Sequence, residues 1–310
     1  MRKNEEKKFT SIKIASILGI LGNLFLVFIK GIIGLTTNSK SMIADAFNSA
    51  GDIFSSIMTF IGNKIASKPS DDDHNLGHGK AEYIYSMLIS NVMIVMALKV
   101  LIDSVLSLIL GSKYQFSFWL IIICIITIIV KFFLYIYTSK LYKKYNNLLL
   151  EANSKDHRND MLITTVNLIS CILSYYGFYL FDSLAGIAIS IWILISAIQI
   201  FIKSYDVLMD KSMNNDTTQK VYEIIKRHDE VKKVIHFNST PVGYLYQISF
   251  TIYVDGTLST FESHAIADTL EKEIKKEIPE IYLTVIHVNP MKTKKDNYNK
   301  NIRFKNNKEE

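Results

Sequence analysis

The chain has 310 residues, 49% hydrophobic and 21% charged, with a formal net charge of +6. Apolar and charged residues occupy separate stretches, which excludes an ordinary soluble fold and points to a membrane. The lysines gather beside apolar runs and in the C-terminal tail without aromatic interleaving, so they read as membrane flanks and exclude a nucleic-acid surface. Cys124 and Cys171 both lie inside apolar runs and read as buried thiols, with no disulfide or metal role.

The first apolar run, Ile12 to Thr36, is too long for a cleaved signal peptide and lacks a small-residue cleavage site. A bilayer crossing takes about 20 mostly apolar residues. Six stretches meet that demand: 12–34, 39–63, 82–110, 116–138, 153–179 and 183–205. The second and fifth are less hydropathic because each contains Asp and Asn. The links around Thr36 to Ser41, Gly111 to Phe116 and Gly177 to Ser183 are short. One side of the membrane receives Arg2, Lys3, Lys7, Lys8, Lys64, Lys68, Lys80, Lys140, Lys143, Lys144 and the C-terminal part; the other receives Lys40 and Lys113. The positive-inside rule places both termini in the cytoplasm, as an even number of crossings requires.

After about Asp210 the pattern changes. Asp216-Thr-Thr-Gln219 resembles a helix-opening box, with Val221, Ile224 and Ile225 on one face. Tyr244, Tyr246, Ile248, Phe250, Ile252 and Val254 alternate with polar residues as a half-buried strand. Ser259-Thr-Phe-Glu262 opens a helix with Ile266, Leu270, Ile274 and Ile278 at intervals of four. Lys232 to Phe237 and Ile281 to Val288 read as two further strands. The expected fold is an α-helical membrane protein: a six-transmembrane-helix bundle followed by a small cytoplasmic α+β domain ordered helix-strand-strand-helix-strand. Its parts are an N-terminal cytoplasmic segment at 1–11, the bundle at 12–209, the α+β domain at 210–291, and a basic disordered tail at 292–310.

An ionisable residue within a membrane helix is costly, about +2.5–3.5 kcal/mol for a central Asp, and usually faces an interior or an aqueous path. Asn48 and Asp52 sit four apart on the second helix; Asp156 and Asp160 sit four apart on the fifth. At about 3.6 residues per turn each pair shares a helix face. Two such helices side by side present four oxygen-bearing side chains to one point, a tetrahedral or higher-coordinate site for a hard or borderline divalent cation. Helix-end residues held by water or Lys are the alternative, which suits Asp156 alone better than two matched pairs. Clustered carboxylates that lose a metal are driven to take up protons, so one site can serve both ions. Asp45 shares the face of Asn48 and Asp52 toward the outer end, as an outer ligand, a proton acceptor or a hydrogen-bonded residue lining the cavity. His157 follows Asp156 and points about 100° off the paired face, which argues against a ligand role.

At these pairs the chain resembles the cation diffusion facilitator family, whose hallmark is two polar ligands four apart on the second transmembrane helix and two more on the fifth. The resemblance extends to the loop Lys68-Pro-Ser-Asp-Asp-Asp-His-Asn-Leu-Gly-His-Gly-Lys-Ala-Glu82, the six-helix order and the C-terminal domain. It implies a homodimeric secondary transporter in the bacterial inner membrane that exports divalent metal in exchange for protons by alternating access. It implies no enzyme activity and no cofactor; the metal is cargo. Ala44-Asp-Ala-Phe-Asn48 and Asp156-His-Arg-Asn-Asp160 resemble the manganese-exporting bacterial branch. Chemistry agrees: imidazole favours Zn²⁺, whereas three carboxylates and an amide lessen the disadvantage of Mn²⁺. With three ionised Asp residues and a neutral amide the ligands carry −3, so the net charge with a dication bound would be −1. Zn²⁺, Fe²⁺, Cd²⁺ or Co²⁺ export stays open.

The resemblance carries further expectations. Asp71, His74 and His78 form a second metal site in the loop, or only attract cations. His236, His264 and His287 match cytoplasmic-domain positions that bind metal in zinc-type relatives, but Ser249 and Asn289 stand where other ligands are common, so binding there would be weak. Lys80 and Asp210 match a charge interlock near the dimer interface. The rivals from other classes are a membrane-embedded metalloenzyme and a membrane-anchored metal sensor. The first lacks a His-Glu-x-x-His or similar helix motif, and six crossings with two polar pairs exceed what an anchor needs.

Overall fold

The computed structural model describes residues 2–36, 40–110, 118–175 and 180–291; within them, the side chains of 2–5, 34, 40–45, 47, 48, 171, 174, 175, 180 and 182 are not described. The chain divides into two compact units, Met1–Leu208 and Met209–Glu310. The expected tail at 292–310 and the Cys171 side chain lie outside the described residues.

The first unit holds six long helices: α1 (Arg2–Thr36), α2 (Lys40–Ala66), α3 (Ala81–Leu110), α4 (Phe118–Tyr145), α5 (Leu148–Tyr175) and α6 (Leu180–Leu208). The four prolines, Pro69, Pro241, Pro279 and Pro290, all lie outside helices, so nothing interrupts these runs. α1, α3, α4 and α6 are long and apolar enough by composition to cross a membrane. α2 and α5 are equally long but carry the acidic and amide groups. The helices outrun the apolar stretches: α1 begins ten residues before Ile12, and α5 begins at Leu148. The start of α5 is set by local chemistry. Asn147 accepts from the Leu150 N–H at 3.1 Å, and buried Glu82 of α3 accepts from the Leu148 N–H at 2.6 Å.

Helix α1 packs along α2, α4 along α5 and α3 along α6, while α1–α4 and α2–α5 contacts close the group that holds the acidic residues. Gly19 permits the α1–α2 approach, since a Cβ there would come 2.6 Å from Ser56 Oγ. The unit reverses the soluble pattern. Phe28, Val95, Ile102, Phe133 and Trp192 are exposed, whereas Asn23, Ser49, Ser56, Thr127, Asn153 and Lys131 are buried. An apolar exterior over a polar interior belongs to helices solvated by lipid.

The second unit orders its elements as α7 (Asn215–Lys226), β1 (Lys233–Val242), β2 (Leu245–Asp255), α8 (Thr260–Glu277) and β3 (Ile281–Met291), the expected helix-strand-strand-helix-strand. β1 and β2 are antiparallel through a two-residue turn with Gly243 at φ 63°, a conformation glycine adopts without strain. β3 joins the other side of β2 in parallel, after α8 makes the crossover. Pro241 and Pro290 fall on the two edge strands, where a missing N–H is tolerated. Val221, Ile224, Ile248, Phe250, Ile252, Leu270 and Ile274 share one core. Ser259 and Glu262 form the expected capping box of α8. The opening of α7 differs from the sequence reading. Its cap is Asn214, whose side chain accepts from Thr217 N at 2.7 Å, because an Asn with extended backbone satisfies the first turn ahead of Asp216.

Candidate metal centre

Asp52 of α2 and Asp156 of α5 are buried, and Asp160, one turn on from Asp156, is partly so. The structure brings the two helices' carboxylates together around a group that sequence reasoning passed over. Lys131, near the middle of α4 and 1% exposed at its side chain, places Nζ 2.7 Å from Asp52 Oδ2 and 2.6 Å from Asp160 Oδ2. Both are distances of charge-assisted hydrogen bonds. Asp156 interacts electrostatically with Asp160, Asp52 and Lys131. Its Oδ2 is buried without a hydrogen-bond partner among the described residues, although the Ser55 hydroxyl lies beside it.

Lys30 approaches from α1. It is buried, donates to Ser49 Oγ at 3.0 Å and feels the field of Asp160. Both ammoniums alter the charge count made from carboxylates and an amide alone: the net −1 expected with a dication bound omits two positive groups. The signal was available in the sequence. A Lys in Ile-Ile-Val-Lys131-Phe-Phe is as costly at mid-membrane as an Asp, yet counting lysines only at helix flanks overlooks it.

His157 also departs from expectation. It is fully buried, and one of its ring nitrogens lies within 4.8 Å of carboxylate oxygens of both Asp156 and Asp160. Both ring nitrogens lack hydrogen-bond partners among the described residues. The backbone does turn by about 100° per residue, but the imidazole reaches far enough to stay within a ligand cluster. Its Nε2 is 3.7 Å from where a Cβ on Gly19 would stand, so α1 bounds it closely. The Asn48 and Asp45 side chains lie outside the described residues; their backbones belong to the first half of α2.

The loop between α2 and α3 holds the second expected cluster. One ligand atom each of Asp71, His74 and His78 lies within 4.8 Å of the others. Asp71 Oδ1 is 3.2 Å from His74 Nδ1, and its Oδ2 is 3.4 Å from His78 Nε2. The backbone N–H of His74 donates to Asp71 Oδ1 at 2.7 Å and holds that carboxyl below its usual range. Gly77, at φ 76°, turns the chain so that His78 faces back toward Asp71.

In the second unit the expected trio falls on three different elements. His236, His264 and His287 are exposed on β1, α8 and β3, and they form no three-ligand cluster among the described residues. β2 separates β1 from β3, so His236, at a bulge with φ 55°, and His287 lie on opposite flanks of the sheet. Lys80 stands just before α3, and Asp210, at φ 54°, follows α6.

An apolar-sided helical bundle with carboxylates gathered inside it and an α+β domain after it defines a membrane cation transporter. Residues 16–209 match the family model described as cation efflux transmembrane domain, and residues 213–291 that described as cation efflux protein, cytoplasmic domain. The chain belongs to the cation efflux family and is a divalent metal cation efflux transporter. It is 29% identical to the manganese efflux system protein MneP of Bacillus subtilis, over 92% of this chain and 98% of that protein. It is 27% identical to the cation-efflux pump FieF of Shewanella oneidensis, over 90% and 94% of the two chains. It is also 27% identical to the magnetosome protein MamB of a Magnetospira strain, over 85% and 90%. Among solved structures, the metal-bound C-terminal domain of the CzcD transporter from Thermotoga maritima matches at 26% identity and TM-score 0.25, over 26% of this chain and 99% of that one.

Proposed function

We propose that the protein exports Mn²⁺ from the bacterial cytoplasm across the inner membrane in exchange for protons, as a homodimer working by alternating access. The observation that carries this reading is the convergence of Asp52 from α2 and Asp160 from α5 on one point, with Asp156 beside them. Asn48, four residues before Asp52, completes the oxygen-rich set. Carboxylates and an amide suit a hard dication, and likeness to a manganese efflux protein supports the same metal. Carboxylates crowded in a low-dielectric interior exchange a departing metal for protons, so antiport uses the site itself. Lys-rich flanks favour cytoplasmic termini, and the match to the family's cytoplasmic domain favours the dimer, in which Lys80 and Asp210 would interlock. Asp71, His74 and His78 supply an accessory metal site at the cytoplasmic loop. The bundle is taken as 12–209 and the cytoplasmic domain as 210–291.

A second reading has one observation in its favour. His157 stands within ligand reach of Asp156 and Asp160, and an imidazole shifts preference toward Zn²⁺. Competitive uptake of Mn²⁺ against Zn²⁺, Fe²⁺ and Cd²⁺ into proteoliposomes, with internal pH recorded, separates the two. Mn²⁺ preference with stoichiometric proton counterflow supports manganese antiport. Zn²⁺ preference that vanishes in His157→Asn would instead make His157 the selecting ligand.

A further inference from the structure

We propose that Lys131 is a tethered counter-cation that occupies the transport site in place of the metal and must leave Asp52 and Asp160 before a divalent ion can bind them. The inference rests on the reading of these two carboxylates as transport ligands. Lys131 belongs to the inward face of α4, with Thr127, Leu134 and Thr138 buried on the same stripe and Phe132 and Phe133 turned outward. A membrane lysine ordinarily extends its stem toward the headgroups. This one is held at mid-helix by Asp52 Oδ2 and Asp160 Oδ2, one oxygen from each of two carboxylates that would hold the metal. An ammonium within 3 Å of both carboxylates repels a dication brought to the same point and competes with it for their negative charge.

The chemistry of lysine suits exchange. Its charge is compact, and four flexible methylenes let it withdraw along α4, whereas a guanidinium would grip the carboxylates in a planar fork. While seated, the ammonium offsets the mutual repulsion of three carboxylates in a low-dielectric interior. A doubly charged ion displaces it, and metal release lets it reseat. One ammonium replaces half of a dication's charge, so the remainder is still exchanged for protons at the site. Competition also lowers apparent affinity, as any equilibrium does that withholds the binding-competent form. A transporter gains from this, because a site that held metal without competition would release it slowly.

The experiment uses the full-length protein in nanodiscs, with Mn²⁺ binding measured by calorimetry, and in proteoliposomes, with Mn²⁺ uptake. Lys131→Met should bind Mn²⁺ about tenfold more tightly or better and show a lower KM with a lower turnover. In Lys131→Ala, ethylammonium should compete with Mn²⁺, which it should not do in the native protein. Asp160→Asn serves as the control for the site. If it binds Mn²⁺ like the native protein, the transport-site reading itself fails. If Asp160→Asn loses binding while Lys131→Met binds no more tightly than native, the tether is overturned. Should the lysine variants fail to fold, a structure of the native protein saturated with Mn²⁺ decides. Nζ parted from both carboxylates supports exchange, and Nζ still bridging them beside bound Mn²⁺ refutes it.

Discussion

Glu82, at the start of α3, receives the first backbone N–H of α5 from Leu148 across 2.6 Å. The Glu82 side chain is 6% exposed and also faces Lys8 of α1, whose Nζ lies 3.6 Å from its other carboxylate oxygen. One side chain thus joins three helices at the end of the bundle, and it fixes the origin of the helix that carries Asp156 and Asp160.

Loss of this group should loosen α5. A hydrogen bond to a charged partner contributes about 1.5–3 kcal/mol, and a buried N–H left unpaired costs more than a bond merely weakened. Glu82→Ala should therefore lower the thermal unfolding midpoint in detergent and reduce Mn²⁺ affinity. Glu82→Gln keeps an acceptor for Leu148 and should recover part of both. Equal losses in the two variants would show that the charge facing Lys8, rather than the Leu148 bond, carries the effect.

The carboxylates of the centre should be required one by one. Asp52→Ala, Asp156→Ala and Asp160→Ala each remove a charged ligand from a site that must compete with water for the ion. Transport in proteoliposomes should vanish while size-exclusion profile and helical content stay native. Near-normal uptake by any two of the three would sink the proposed ligand set.

Metal choice should follow Asn48. Asn48→His adds an imidazole nitrogen, which favours Zn²⁺, and a group titrating near neutrality when unperturbed, so transport should gain both Zn²⁺ and pH dependence. Asn48→Asp keeps oxygen ligation, so it should tighten binding generally and shift selectivity little. Initial rates for both metals at fixed internal and external pH give the ratio. An unchanged ratio in the His variant would remove Asn48 from the selectivity argument and leave His157 as the candidate.

The cytoplasmic domain should show a defined acid limit. The Ser259 backbone N–H and hydroxyl both donate to Glu262 Oε2 at 2.8 Å, and they hold that carboxyl below its usual range. With the folded value depressed, the stabilisation is complete above the unfolded value of about 4.3 and is lost as pH falls through the folded one. Unfolding of segment 209–291 should therefore show no loss from this source between about pH 7 and 5, and a decline below about pH 4. Glu262→Gln should flatten that decline. An acid limb identical to the native one would assign it to other carboxylates.

Much of this architecture is legible in the sequence. Runs of about 20 apolar residues define membrane helices with little ambiguity, because unsatisfied backbone in lipid permits few alternatives. Alternation in 244–254 and the box at Ser259 likewise specify a strand and a helix start from local chemistry. Helical period sufficed to put Asp156 and Asp160 on one face. It could not say which helix would stand opposite, how far each would be rotated, or which side chain would fill the space between. Those are properties of packing, set here by contacts such as Gly19 against Ser56. Only packing brought Lys131 from α4 between Asp52 and Asp160, drew His157 into reach of the same carboxylates, and carried Glu82 from α3 to the start of α5. Each joins residues far apart in the chain, and an interaction between two helices depends on their relative position, which no pattern within either one encodes.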